Sequence, residues 1–211
     1  MNYGELKTSI QSHMHRDDLT TLIPDFVLFA ESVISGDPNP STPEALCGVR
    51  TRDQSNRFTA TINSEYVDTP TDMLSIKDIQ INTDPIQPLD YLTPSELSHK
   101  FPSSTTGKPR YYSIHGDEFQ FKPVPSTDYV LEVTYEQKYT ALANDADTNW
   151  LLTNHPLIYV YSACIAASLH TEDSPDRWVL AYTAMAKSLN SSENKGRYPS
   201  RLVAKVNTPT P

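Results

Sequence analysis

The sequence predicts an α+β fold: a bundle of N- and C-terminal helices, an antiparallel β-rich module inserted between them, and an extended C-terminal tail. Three observations predict it. Apolar residues recur at helical spacing before Gly36 and again after Pro156, they alternate with period two between Phe58 and Tyr135, and the stretch after Gly196 is too short for its own core and ends in Pro209 and Pro211. The expected divisions are residues 1–56 for a helical hairpin and an irregular crossing, 57–140 for the β-rich insertion, 141–195 for the helices that complete the bundle, and 196–211 for the tail.

Asn2 and Glu5 have capping-box spacing, and Tyr3, Leu6, Ile10 and Met14 follow at helical intervals until Asp17-Asp18. A second helix starts near Pro24, where a proline suits the first turn. It places Phe26, Phe29, Ala30 and Val33 on one face and stops at Gly36. Two short amphipathic helices make an antiparallel hairpin. Between Gly36 and Asn56, Pro38, Pro40 and Pro43 among Ser and Thr read as an irregular crossing.

The middle changes period. Phe58, Ala60 and Ile62 alternate with Thr59 and Thr61 as a strand with one face on a core. Leu74 and Ile76 have one parity and Ile79 and Ile81 the other, so a bulge or a break falls near Lys77-Asp78. Thr93-Pro94-Ser95-Glu96 supplies an N-cap, a first-turn proline and a capping-box Glu for a short helix to about Phe101. The clearest hairpin is Tyr111–His115, turn Gly116-Asp117, then Glu118–Phe121, which sets Ile114 opposite Phe119 and Tyr112 opposite Phe121 on one face. Pro123 and Pro125 end that strand, and Tyr129, Leu131, Val133 and Tyr135 mark a third.

Asn149-Trp150-Leu151-Leu152-Thr153-Asn154 then stands at the mouth of a buried helix running from Pro156 through Ile165 and Leu169. Ser174-Pro175 starts a last helix whose buried stripe is Trp178, Tyr182, Met185, Ala186 and Leu189.

The 211-residue chain carries a formal net charge of −9 at pH 7, which argues against whole-molecule attraction to nucleic acid or anionic lipid. The first residues lack a charged-then-apolar leader, and no run approaches a membrane span, so synthesis in a cytoplasm is expected. Cys164, inside an apolar helical pattern, reads as a buried thiol more simply than as the disulfide partner of Cys47. His13 and His15 lie about 200° apart on a helix and cannot share a metal; a solvated helix end accounts for them. Thr106-Gly107-Lys108 is followed by Pro109 where a phosphate loop needs Ser or Thr, so it reads as a turn. His115, His155 and His170 lack any nucleophile motif beside them, and Asp17-Asp18 and Glu172-Asp173 fit helix-end capping. No catalytic residue, metal ligand or cofactor site emerges. A glycosidase needs only two facing carboxyl groups, which any two of 26 acidic residues could supply, so that enzyme class stays open.

Several strings, in this order, carry a resemblance: Tyr3-Gly4-Glu5-Leu6-Lys7, the Asp17-Asp18 to Ile23-Pro24 join, Tyr91-Leu92-Thr93-Pro94, Gly107-Lys108-Pro109-Arg110-Tyr111-Tyr112, Gly116-Asp117, and Thr148-Asn149-Trp150-Leu151-Leu152. Together they resemble the head-to-tail adaptor, or head-completion, proteins of tailed bacteriophages, particularly short-tailed ones. The resemblance implies a structural virion protein at the portal vertex. Copies would form a dodecameric adaptor ring between the portal and the tail nozzle or tube, extend the DNA channel, and help close the capsid after packaging. Genomic DNA would pass without sequence-specific binding, and no membrane or cofactor would be involved. In such adaptors the C-terminal segment clasps the portal, which by position assigns portal binding here to Arg197, Tyr198, Arg201, Leu202 and Lys205. The alternative for this segment is an unstructured terminus. The competing readings for the whole chain are a muramidase-like, virion-associated peptidoglycan hydrolase and a soluble binding module of host origin.

Overall fold

A computed structural model describes residues 1–16, 18–36 and 46–197, the last four by their backbone only. Asp17, the Pro38–Pro43 stretch and the chain from Tyr198 onward lie outside the described residues. The elements are α1 (Tyr3–Met14), α2 (Ile23–Ser35), β1 (Ser55–Ile62), β2 (Tyr66–Asp68), β3 (Met73–Ile81), β4 (Gln87–Pro88), β5 (Asp90–Tyr91), α3 (Pro94–Lys100), β6 (Thr106–Gly107), β7 (Tyr111–His115), β8 (Glu118–Lys122), β9 (Val124–Pro125), β10 (Tyr129–Gln137), α4 (Trp150–Asn154), α5 (Pro156–His170) and α6 (Asp176–Arg197). The fold is α+β, with helices from both ends of the chain and antiparallel sheets between them. Two compact units result, one from Met1–Arg52 together with the chain from Tyr139 onward, the other Asp53–Lys138.

In the helical unit, α1 starts as its capping box requires: the Glu5 N–H donates to Asn2 Oδ1 at 2.8 Å and the Asn2 N–H to the Glu5 carboxylate at 3.0 Å. Tyr3, Leu6 and Ile10 are buried. The core is organised around α5, whose Ile158, Tyr159, Val160, Ala163, Cys164, Ile165 and Ala167 are all enclosed, and α1, α2, α4 and α6 pack on it. Helices α1 and α2 touch one another, but each packs more extensively on α5. A helix apolar on nearly every side recruits neighbours all round, and two narrow-striped helices have little left to share. Ser162 satisfies its buried hydroxyl by donating to the Ile158 carbonyl at 2.7 Å. Both cysteines are free, and burial pushes the Cys164 thiol up to about 12, which leaves it protonated and inert. The stripe expected of α6 is in place, with Trp178, Tyr182, Ala186 and Leu189 buried.

Helix α4 escaped the sequence reading, which began the helical run at Pro156. Asn149 builds α4: its Oδ1 accepts the Leu152 N–H at 2.8 Å while its Nδ2 donates to the Tyr159 hydroxyl and the Thr140 carbonyl. The segment before α4 is held by Glu31 of α2, whose carboxylate accepts the Leu142 N–H at 2.9 Å. Burial raises this carboxyl above its ordinary value, against the opposing pull of that N–H. Since the folded state then binds the proton more tightly, Glu31's contribution to stability is full below its unfolded pKa and is lost as pH rises through the folded one. Glu31→Gln keeps an acceptor without the charge. Its stability relative to the parent is therefore expected to improve from acidic to neutral pH in urea melts, and a flat difference would show that Glu31 behaves as a solvated carboxyl.

Helix α2 ends at Gly36, φ 73°, whose N–H reaches the Val33 carbonyl. Gly48 comes back against it so closely that a Cβ on Gly48 would sit 2.9 Å from the Gly36 Cα. The returning segment is fixed by Val49 N–H to the Ile34 carbonyl, by Asn190 bridging Gly48 and Arg50, and by the Tyr182 hydroxyl donating to the Cys47 carbonyl at 2.9 Å.

In the β unit, one sheet has the order β1-β10-β3-β4 and a second β2-β8-β7-β5, with β6 and β9 a separate parallel pair. The hairpin register is as expected, Ile114 opposite Phe119 and Tyr112 opposite Phe121. The parity switch in β3 is a bulge: Thr134 faces Asp78 and Tyr135 faces Ile76, leaving Lys77 extra. A second shift leaves Leu74 extra. Ile62, Ile79, Ile81, Leu131, Val133 and Tyr135 from the first sheet meet Tyr112, Phe119 and Phe121 from the second in one core. Three details differ from the sequence reading. Strand β1 starts at Ser55 rather than Phe58, Thr106-Gly107 is a short strand rather than a turn, and the third strand, for which sequence names no partner, is β10 between β1 and β3. Alternation finds strands and their buried faces but does not encode which partner each takes.

Candidate assembly surfaces

The tail residues singled out by sequence begin where α6 ends. The helix continues through Gly196 to Arg197, so the break expected at Gly196 is absent, a shift within the usual fraying of helix ends. Tyr198, Arg201, Leu202 and Lys205 lie outside the described residues. Along α6 itself, Leu180 is 74% exposed, facing away from the Trp178–Tyr182 stripe. Farther along, His155, Ile158, Ala184, Met185, Ser188 and Leu189 line an open, mainly apolar groove of about 420 Å³. Apolar surface next to small side chains is what a neighbouring helix or loop can approach closely. Leu180 was legible as out of phase with its own stripe; the groove, made by two helices, was not.

The solvent face of the first sheet in the β unit is polar and internally paired. Glu132 accepts from Arg57 at 3.2 Å, Gln80 at 3.2 Å and Asn82 at 2.9 Å, and Glu136 pairs with Lys77 at 3.2 Å. On the second sheet, buried Gln120 donates to Glu65 at 2.6 Å, shares a hydrogen bond with His115 at 2.8 Å, and contacts the Tyr66 hydroxyl at 3.1 Å, while Lys122 pairs with Glu65 at 2.9 Å. Burial pushes the Glu65 carboxyl up, but the hydrogen bonds from Gln120 and Lys122 outweigh it and leave it below the usual range. It is therefore a carboxylate, and it holds Tyr66 and His115 in place.

These geometries bear on the hydrolase reading, which needs one carboxyl held protonated opposite one held ionised. Glu31 is shifted up by burial and Glu65 down by its hydrogen bonds, but each is engaged by neighbours of its own, Glu31 by the Leu142 N–H and Glu65 by Gln120 and Lys122. The remaining residues weighed from sequence find structural roles. Half-buried His13 accompanies Tyr161 and Trp178 and bonds the Ser9 carbonyl, rather than sitting in solvent as expected. His155 stands at the α4–α5 joint and His170 against Phe26. Asp18 pairs with Arg16 at 2.7 Å, and that hydrogen bond holds it below the usual carboxylate range. Asp173 accepts from the Thr171 hydroxyl at 2.7 Å, and Glu172 is left-handed at φ 57°. Asp18 and Asp173 thus act through Arg16 and Thr171 where helix-end capping is expected, and Asp17 lies outside the described residues. Among the described residues no His, Cys, Asp and Glu group is placed to hold a metal, and no helix is long and apolar enough to cross a membrane.

The family model described as SU10 adaptor protein matches residues 1–205. The chain belongs to the SU10 adaptor protein family. Comparison with curated proteins finds no match. As an SU10 adaptor, the chain is a structural protein of a bacteriophage and a virion component that works through contacts with other virion proteins. In this SU10 adaptor the surfaces available for such contacts among the described residues include the α6 groove with Leu180 and the outer faces of the two sheets.

Proposed function

We propose that the protein forms a dodecameric ring between the portal and the tail nozzle or tube, extending the DNA channel and helping to close the capsid after packaging. The observation that carries this reading is the family match across residues 1–205. A closed ring joins unlike side faces of successive copies, and the apolar groove beside α6 is suited to one of them. The net charge of −9 fits a conduit whose DNA must slide through without being gripped. The protein is made in the host cytoplasm and joins the portal vertex after packaging.

Portal attachment falls to the C-terminal segment, through Arg197, Tyr198, Arg201, Leu202 and Lys205, which combine charge with one aromatic anchor. Deleting residues 197–211 is expected to abolish capture by purified portal while leaving the melting curve unchanged. Full capture by the truncated protein would remove the segment from the interface. Cryo-electron microscopy of the portal vertex tests the ring itself: twelve copies beneath the portal are expected, and an isolated copy per portal would refute it. The function has no catalytic step in this reading, so peptidoglycan incubated with the protein should release no more soluble fragments than with a boiled control.

A further inference from the structure

Strand β1 pairs with β10 along its whole length, with no register shift and no proline, and among the described residues no strand lies on its other side. The far edge of the same sheet is blunted by the two bulges of β3 and by β4, which pairs across Gln80 and Ile81. Natural sheets blunt exposed edges with bulges, prolines, charges or covering segments, because unpaired N–H and C=O groups are a template for another strand. On β1 the one charged residue is Arg57, and its guanidinium is engaged by Glu132 at 3.2 Å.

The register says which groups are open. The Asn82 N–H donates to the Val130 carbonyl at 2.8 Å, so Val130 directs its backbone groups to β3. In an antiparallel ladder the N–H and C=O of one residue point to the same side, and successive residues alternate. Tyr129, Leu131 and Val133 therefore bond Ile62, Ala60 and Phe58, and Thr59 and Thr61 direct both backbone groups away from the sheet. The Arg57 N–H, on the same side, is taken by the Asn56 side chain at 2.8 Å, which closes the edge at that end. The two open positions are on exposed residues, and the apolar Phe58 and Ala60 beside them are only half-buried.

We propose that this edge docks β1 of a second copy, the two strands running antiparallel with Ala60 on the two-fold axis and Thr59 of each opposite Thr61 of the other. That register uses the open groups and nothing else. Thr59 and Thr61 of the two copies exchange four N–H···O=C bonds, and the already engaged Arg57 N–H falls outside them. Moving the axis to Thr59 would instead set Thr61 opposite Arg57. Side chains agree on both faces. On the core side Ala60 meets Ala60 at the close approach of a pair that shares no hydrogen bond, and Phe58 lies opposite Ile62, an aromatic and β-branched pair that covers the half-buried ring; on the outer side Thr faces Thr twice. Charge permits the contact although each chain carries −9, because the two Arg57 residues lie about 20 Å apart along the pair and β1 has no other charge. So short a ladder buries less than the ~1,000 Å² of a stable interface, so the pair forms reversibly. A two-fold contact closes on itself and cannot propagate round a ring, so it belongs to the free protein and does not depend on the adaptor-ring reading.

Sedimentation equilibrium and amide hydrogen exchange on the full-length protein, from micromolar to millimolar concentration, test it. The average mass is expected to rise towards that of two chains. The Thr59 and Thr61 amides should slow at least about threefold over the same range, while the Phe58 and Ala60 amides, bonded to β10, hold constant. T59K/T61K sets like charges directly opposite each other and should weaken pairing about tenfold, whereas T59K/T61E sets unlike charges there and should restore it. Both positions are exposed, and unchanged melts of the dilute variants check that the fold is kept. A parent that stays monomeric, with no slowing at Thr59 and Thr61, would overturn the proposal without recourse to any variant. So would T59K/T61K associating like the parent, which would put the contact elsewhere, or T59K/T61E weakened as much as T59K/T61K, which would refute the register. Protection of Thr59 and Thr61 that dilution does not relieve would assign the edge to a segment of the same chain and overturn it as well.

Discussion

Replacing Trp178 with Ala is expected to cost about 3–5 kcal/mol, enough to leave a typical domain of this size barely folded. Trp178 is 9% exposed at the start of α6, with Tyr161 of α5 tilted against it at 5.8 Å, His13 of α1 edge-on at 6.4 Å and Arg177 over its ring at 4.2 Å. Truncation would open a cavity where three helices meet. The indole N–H has no hydrogen-bond partner among the described residues, so Trp178→Phe should cost far less, about 1 kcal/mol, because the lost area is partly offset by removing an unpaired buried donor. Urea melts of the two variants separate packing from hydrogen bonding. Equal losses for Ala and Phe would show that the N–H finds a partner in solution; an unchanged Ala variant would remove Trp178 from the core.

In the β unit the comparable site is Phe119, for which Phe119→Ala should also cost about 3–5 kcal/mol. Its ring is fully enclosed, edge-on to Tyr112 at 6.3 Å and tilted against Phe121 at 6.1 Å, and it sits opposite Val67 on one side and Ile114 on the other. Removing it strips the centre of the second sheet of contacts on both neighbouring strands. Exchange protection across Tyr111–His115 and Glu118–Lys122 is expected to collapse, and a variant that retained it within about 1 kcal/mol of the parent would place the centre of that core elsewhere.

Both sites lie in elements that sequence pattern alone identifies. The capping boxes at Asn2 and Thr93, the Gly116-Asp117 turn and the parity switch at Lys77 are local signals, and each corresponds to the feature it predicts. What escaped was non-local. Nothing near Tyr129 announces that β10 pairs with β1 and β3, since the strands could satisfy their backbone groups in more than one order. Helix α4 was hidden by its length, being too short for periodicity, although Asn149 is a legible cap. The surfaces were harder still to read. Gln120 and Lys122 are polar residues on a face that alternation marks as solvent, yet Glu65 and its neighbours enclose them, a burial that depends on side chains far apart in sequence. The family was legible because ordered strings survive as sequence even where each alone is weak. The groove beside α6 could not be read that way, for it exists only once α5 and α6 are packed.

The meeting of Gly36 and Gly48 has a practical side. Two points of the chain twelve residues apart are fixed within van der Waals distance by backbone hydrogen bonds on either side, so the stretch between them leaves and returns through one doorway. Lengthening such a closed excursion costs only about 0.6 kcal/mol per doubling, whereas a methyl group on Gly48 would push the doorposts apart. Gly48→Ala is thus expected to lower the midpoint of a urea melt by forcing these two crossing points apart, and an unchanged midpoint would show that the doorway gives way at little cost.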